Sequence, residues 1–404
     1  MTIQPAVGVP DLGKVVVLLV DDQLIIGEAV RRILVGHPGI EFHYCQKGQD
    51  ALAVAARVLP TVILQDLVMP DADGLDLVRG YRAQQSTAIT PIVVLSSKEE
   101  GATKAEAFAR GANDYIVKLP DPVELVARVR YHSRGYLSLL QRNQAFEELR
   151  RSQAALAAEL AQAEAYVRKL LPSPVKAPVK IDWSFIPSAS LGGDCFDYFW
   201  IDDDHMVIYL LDVCGHGVGP ALLSVSARNT VRAGGVGRLD PRDPSTVAAS
   251  LNAAFPMEKH GNMFFTLWYG VYQKSTRTLR YTGGGHPPSI LFLPTTAALA
   301  AGSEAVRMLE TPGPPIGIVA DMEFETITTD VPLGSSLLIY SDGAFEVFTS
   351  EGKIWGVDGL LEFMQSRDLT SPACLDELHQ IVKAMTGSDV LADDFSILLA
   401  RFLH

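Results

Sequence analysis

The 404-residue chain has only four cysteines, Cys45, Cys195, Cys214 and Cys374. They are scattered and form no CxxC pair. They read as free thiols, which suits a reducing compartment and therefore the cytoplasm. No apolar stretch reaches about 18 residues, so no transmembrane helix is expected. The start, MTIQPAVGVPDLGK, lacks a basic region followed by a long apolar core. It does not read as a signal peptide, and residues 1–14 are expected to be a disordered arm. Positive charge is also short, with 34 Lys and Arg against 47 Asp and Glu and a net charge of −13. That balance argues against a nucleic-acid surface. The Gly-rich loop of "LLDVCGHGVG" (210–219) matches neither GxGxxG nor GxxxxGK[ST], the two common phosphate cradles.

What is present is an ordinary globular composition, 48% hydrophobic and 20% charged, on a chain long enough for two or three domains. Residues 15–130 alternate continuous apolar runs ("VVVLLVDD", "TVILQD", "PIVVLSS", "DYIVK") with segments of helical spacing at 24–35 and 102–110. Such runs belong to a parallel sheet buried on both faces, and the alternation predicts an α/β doubly wound fold. Ligands of these sheets bind beyond the carboxyl ends of the strands. The polar residues at those ends are Asp21, Asp22, Asp66, Ser96 and Lys118. A carboxylate can accept a phosphoryl group, paired acids suit Mg²⁺, and a lysine and a hydroxyl suit phosphoryl oxygens. With Asp66 ahead of "LVMPDADG" and Lys118 ahead of "LPDP", the segment resembles a response-regulator receiver domain. The resemblance implies that Asp66 is the phospho-acceptor, that Asp21, Asp22, Asp66 and the Val68 carbonyl hold Mg²⁺, and that Ser96, Tyr115 and Lys118 form the switch and phosphoryl-binding set. One departure is Leu119 between Lys118 and Pro120, where the family has Lys-Pro. A trans Lys-Leu bond is expected.

Residues 131–171 lack Gly after Gly135 and are rich in Ala, Glu, Leu, Gln and Arg. A heptad places Leu139, Phe146, Gln153, Leu160 and Val167 at one core position and Leu149, Leu156, Ala163 and Leu170 at the other, with Arg142 interrupting the start. This predicts a helical coiled-coil linker and a homodimer through it, the alternative being a single helix packed on a neighbouring domain. "LPSPVKAP" (171–178) stops the helix.

Residues 180–404 read as strands ("HMVIYLLDV", "MFFTLWYGVY", "TLRYTGGG", "SILFL", "SSLLIYSD", "FSILLARF") with helices at 219–232, 245–254 and 373–385, an α+β pattern. Asp212 ends one strand, Asp342 another, Asp393 and Asp394 begin a third, and Asp194 precedes the first long strand. No Lys or Arg lies within two residues of any of them. Grouped carboxylates repel unless a cation is present, and oxygen donors suit Mg²⁺ or Mn²⁺. Several can hold two ions with a water between them, an arrangement suited to in-line attack on phosphorus. Seven motifs in order, "SLGGDCFDYF", "LLDVCGHGVGPALLS", "FFTLWYGVY", "LRYTGGGHPPSILF", "GPPIGI", "LLIYSDGAFEV" and "ADDFSILLAR", resemble the SpoIIE-like branch of the PPM phosphatases, which act on phosphoserine and phosphothreonine. The resemblance implies a β-sandwich flanked by helices with two Mn²⁺ or Mg²⁺ ions at one end. Asp212 would be catalytic and bridge them, with Val213 (carbonyl), Asp342, Asp393 and Asp194 completing the set.

His216 and His286 read as loop residues, Cys195 and Cys214 as packing residues, and Asp202–Asp204 as a solvent-facing hairpin turn. The whole reads as a cytoplasmic response regulator in which a histidine kinase or phosphotransfer protein phosphorylates Asp66. A phosphatase output then acts on a phosphoprotein, by resemblance a STAS-type anti-sigma-factor antagonist. The alternative is a catalytically silent adaptor on the same fold. No nucleic-acid or membrane partner is expected. A diguanylate cyclase output is disfavoured because "GGD" is followed by "CFD".

Overall fold

The structure is a computed structural model and describes residues 13–97, 100–118, 120–188, 191–234, 240–294, 305–348, 353–387 and 391–403. Of the arm expected at 1–14, only Gly13 and Lys14 fall within them, and the Lys118–Leu119 peptide lies outside. The chain divides into two compact units, Met1–Ala154 and Ala155–His404.

In the first unit, β1 (Val15–Val20), β2 (Ile40–Cys45), β3 (Val62–Asp66), β4 (Ile92–Ser96) and β5 (Asp114–Val117) form a parallel sheet in the order β2-β1-β3-β4-β5. β3 and β4 are buried at every position. Alternation divides the side chains between two cores. Leu18 and Val20 face α2 (Ala51–Val58) and α3 (Gly74–Ala83), while Val17 and Leu19 face α1 (Leu24–Val35). β2 escaped the sequence reading because it is an edge strand. Its residues "IEFHYC" bury only Cys45 fully, so no continuous apolar run marks it. The fourth helix, α4 (Gly101–Ala109), precedes β5.

α5 (Pro122–Leu170) is 49 residues long. Asp121 caps its start by accepting from the Val123 and Glu124 amides, with Pro122 in the first turn. Leu125, Val126 and Val129 join the core of the first unit. Ser133 Oγ accepts from the Thr61 hydroxyl at 2.9 Å. The same helix then runs on without a break, and residues 141–159 are all exposed. Phe146, Leu149 and Leu156 stand 65%, 56% and 58% exposed, so the middle of the predicted seam is left uncovered within one chain.

The second unit is a sandwich of two five-stranded sheets, both antiparallel. One has the order β13 (Ile327–Asp330), β10 (Thr278–Gly284), β9 (Phe265–Gln273), β8 (His205–Val213), β7 (Cys195–Trp200). The other is β12 (Val306–Leu309), β11 (Ser289–Phe292), β14 (Ser336–Tyr340), β15 (Phe395–Phe402), β6 (Val179–Ile186). Met206, Ile208 and Leu210 of one sheet meet Leu337, Ile339, Leu398 and Ala400 of the other around Trp268. The alternate residues face outward onto helices. Val207, Tyr209 and Leu211 pack on α6 (Val218–Arg232) and α7 (Pro244–Ala254). Leu338, Tyr340 and Ile397 pack on α8 (Gly356–Gln365) and α9 (Ala373–Thr386). Each fully buried large side chain contributes roughly 1.5–3 kcal/mol. Among the described residues, no helix is long and apolar enough to cross a membrane.

A Cβ at Gly74, the first residue of α3, would lie 2.2 Å from the Asp66 carbonyl oxygen, whereas around Gly135 on α5 nothing lies within 4 Å. Gly74→Ala should therefore destabilise the receiver transition by about 1–3 kcal/mol. Gly135→Ala should be neutral or stabilise by up to about 1 kcal/mol. Calorimetry of the full chain checks both.

Candidate functional site

The parallel sheet brings the five polar strand ends of the first unit to one edge. Carboxylate oxygens of Asp21, Asp22 and Asp66 lie within 4.8 Å of one another. Lys118 Nζ reaches Asp66 Oδ2 at 2.7 Å and Asp21 Oδ2 at 3.1 Å. Burial raises the Asp66 carboxyl, against the pull of Lys118. Burial lowers the Lys118 ammonium, but its bonds to Asp66 and Asp21 outweigh that and leave it raised. One ammonium facing three carboxylates leaves an excess of negative charge. Together with the all-oxygen donor set, that fits a divalent hard cation. The Val68 amide donates to Asp66 Oδ1 at 3.3 Å, and the Val68 side chain is exposed just past β3. Ser96 and Tyr115 are both buried, with the Lys104 ammonium 5.2 Å from the centre of the Tyr115 ring.

The acids of the second unit converge through strand period. Along β8 the residues facing between the sheets are Met206, Ile208 and Leu210, and the next in that row is Asp212. Cys195 pairs with Leu211, so Asp194 lies opposite Asp212. On the facing sheet, Leu398 and Ala400 of β15 point inward. Counting back by two along that row gives Ser396 and Asp394. Asp342 follows β14, whose Tyr340 pairs with Ile397. Both inward rows thus end in carboxylates at the same end of the sandwich.

The electrostatics follow from this convergence. Both Asp194 oxygens are buried and receive no hydrogen bond. Burial, then Asp212 and Asp394, push its carboxyl well above the ordinary value. Burial and the charge of Asp342 push Asp212 up to about 7. Burial and Asp393 push Asp342 up to about 6. No ion pair reaches Asp194, Asp212, Asp342 or Asp393 among the described residues. Orphaned buried oxygens and mutually raised carboxyls fit a site for Mg²⁺ or Mn²⁺. The tight grouping of three acids found in the first unit does not recur here. Asp194 and Asp212 come from one sheet and Asp342 and Asp393 from the other, and Asp212 feels the charge of Asp342 and Asp393. The turn before β7 lies against the Val213 carbonyl, since a Cβ on Gly193 would come within 2.6 Å of that oxygen.

The sequence reading placed Asp393 among the ligands and gave Asp394 no role, and the fold gives the two neighbours different surroundings. Asp393 is exposed. Asp394 is buried and its oxygens are taken. Oδ1 accepts from the Ser188 amide and hydroxyl at 2.7 and 2.9 Å, and Oδ2 accepts from the Gly193 amide at 2.5 Å. It is the clamp that holds the Asp194 turn. Asp197, also missed, is fully buried and bound by Arg232 at 2.6 and 2.8 Å and Arg228 at 3.0 Å, which fastens α6 to β7. The inward row 394-396-398 was a usable signal for Asp394. Asp197 had none, because its partners are more than thirty residues away. His216 is exposed. His286 is buried, held by its Nδ1 to the Pro287 carbonyl at 2.9 Å and pushed down to about 4 by burial. Cys214 Sγ accepts from the Phe264 amide, and burial pushes the Cys195 thiol up to about 12. The 202–204 turn is less solvent-facing than expected. Asp202 is tied to Arg242 at 2.6 Å, and Asp204 accepts from Ser275 at 2.6 Å.

Comparison with known proteins matches residues 17–130 to the response regulator receiver domain and residues 202–403 to Stage II sporulation protein E (SpoIIE). The chain belongs to the SpoIIE family. It joins a receiver domain to a PP2C/SpoIIE-type phosphatase domain. Protein IcfG of Synechocystis sp. is 24% identical over 255 residues, covering 56% of this chain and 39% of its own. Phosphoserine phosphatase RsbP of Bacillus subtilis is 27% identical over 173 residues, covering 43% of this chain and 41% of its own. The chain thus spans less than half the length of these relatives. Among solved structures, the SiaA-PP2C domain of Pseudomonas aeruginosa has the same fold, with a TM-score of 0.53 at 20% identity, covering 62% of this chain and 98% of that one.

The raised carboxyls set a pH dependence for the metal-free protein. Asp212 and Asp342 stand near 7 and 6 when folded, against about 4 when unfolded. Between those values the folded state holds more protons than the unfolded chain, so stability falls as pH rises through about 4 to 7. In EDTA, the unfolding temperature of the phosphatase domain should be lower at pH 8 than at pH 5. Asp212→Asn should shrink that difference, and excess Mn²⁺ should raise the pH 8 value. A flat profile would refute the clustering.

Proposed function

We propose that the protein is a two-component response regulator in which phosphorylation of Asp66 controls a metal-dependent protein serine/threonine phosphatase. The observation that carries the output half is the meeting of two inward strand rows in carboxylates, with both Asp194 oxygens buried and unbonded. In this reading Asp212, Asp194, the Val213 carbonyl, Asp342 and Asp393 would hold the metal ions, with Asp212 the central carboxylate. Two divalent ions, when bound there, supply the charge that favours in-line attack of water on phosphorus. The chain's own part is orientation. Asp394 fixes the Asp194 turn, and the Asp197 pair with Arg228 and Arg232 fixes α6 behind it. In the receiver, Asp66 takes the phosphoryl group from a histidine kinase or phosphotransfer protein. Asp21, Asp22 and the Val68 carbonyl hold Mg²⁺ with it. Lys118 and Ser96 meet the phosphoryl oxygens, and Tyr115 reports the change. The proposed substrate is a phosphorylated anti-sigma-factor antagonist of the STAS type. The likeness to a protein named as a phosphoserine phosphatase supports the phosphoserine class. The four unpaired cysteines suit action in the cytoplasm.

The exposed seam of α5 supports a parallel homodimer through this helix. Phosphorylation at the receiver then changes turnover at the other end, in the direction of activation.

Asp66→Ala should take no phosphate from acetyl phosphate, and label on another receiver residue would sink the acceptor assignment. Asp212→Ala, Asp342→Ala and Asp393→Ala should each abolish Mn²⁺-dependent hydrolysis of an aryl phosphate. A wild type inert with every divalent ion and with a phosphoserine protein would instead favour the adaptor. Three or four residues inserted near Ala155 shift the heptad phase and should uncouple phosphorylation from turnover with both sites intact. Sedimentation with and without beryllofluoride tests the dimer directly, and a monomer in both states would remove it from the coupling.

A further inference from the structure

A cavity of about 480 Å³ opens beside the carboxylate end of the sandwich, within the usual size range of ligand pockets. Asp342 and Asp393 line it, so it is continuous with the site described above. Its floor is apolar, made by the buried side chains of Val347, Val382 and Leu391, and Phe348, 59% exposed, forms a wall. The third acid of the lining is Glu346. It sits one turn after Asp342, its amide donating to the Asp342 carbonyl at 2.7 Å. Its carboxylate is exposed, and no hydrogen bond or ion pair joins it to any described residue.

These features select among occupants. Cations at the site would balance Asp342 and Asp393, which leaves Glu346 as the uncompensated charge of the cavity. An acidic side chain entering here would be repelled. A purely apolar one would cover the floor but leave Glu346 beside it without a partner. A lysine or arginine satisfies both parts, with its methylenes on the floor and its cationic head at Glu346. In an extended chain, side chains two residues apart share a face and stand about 7 Å apart. Asp342 and Glu346 stand at the two ends of one hydrogen-bonded turn, a span of the same order. We propose that this cavity is a specificity subsite that takes a basic side chain two residues from the phosphoserine of the substrate. The subsite rests on the phosphatase reading and names a substrate class that reading leaves open.

The test uses the full-length protein with Mn²⁺ and three fluorescent phosphoserine peptides, with arginine, alanine or glutamate two residues to either side of the phosphoserine. An exposed ion pair predicts a preference in kcat/KM of about threefold to fivefold for the arginine peptide. Glu346→Gln should bring the ratio to about one, and Glu346→Lys should turn the preference towards a glutamate-bearing peptide. That reversal separates charge recognition from general damage to the fold. Equal turnover of the arginine and alanine peptides by the wild type, or ratios unmoved in both variants, would overturn the subsite. The same peptides are titrated by fluorescence anisotropy. A protein that hydrolyses none of the peptides and no aryl phosphate overturns the phosphatase reading. In that case an arginine preference in binding that Glu346→Gln removes still upholds the subsite, and equal binding refutes it.

Discussion

Carboxylates gathered at one end of an apolar sandwich repel one another, and much of the second unit is arranged to hold them there. Burial and mutual charge raise Asp194, Asp212 and Asp342 together, and among the described residues no lysine or arginine offsets them. The cost is borne by the two cores on the outer faces of the sheets and by the core between them. Asp394 shows how the chain can satisfy an acid when it needs to. Four donors close around it, and it becomes part of the scaffold. The carboxylate of Asp194, whose own amide donates to Asp394, is given none. The contrast between a saturated carboxylate and an unsatisfied one is what marks the site.

The first unit handles the same difficulty differently. Its three acids are closer together, and a lysine stands among them at 2.7 and 3.1 Å. The partial balance keeps the acids in place while leaving negative charge for a cation. The two units therefore present two solutions to crowded carboxylates. One includes a cation from the chain, and the other has none among the described residues.

α5 is a single element with two environments. Its first turns are buried by Leu125, Val126 and Val129 against the receiver core. Between residues 141 and 159 every position is exposed. The middle of its apolar seam stays exposed in a single chain.

Much of this was legible in the sequence because burial on two faces, strand alternation and heptad spacing are local patterns. The central strands of the receiver, the carboxylates at strand ends and the long helix all follow from side-chain period. β2 was not legible, because an edge strand needs no apolar run. The clamp role of Asp394 was not either, since its donors lie about two hundred residues away in the chain. The sequence by itself determined which residue types stand at which strand ends, because the alternation of a strand is set by covalent geometry. Only the tertiary structure decided which of those ends face each other, which acid is clamped by Ser188 and Gly193, and that Asp197 finds Arg228 and Arg232. Those outcomes depend on sheet register and on contacts between residues far apart in the chain, which no local period encodes.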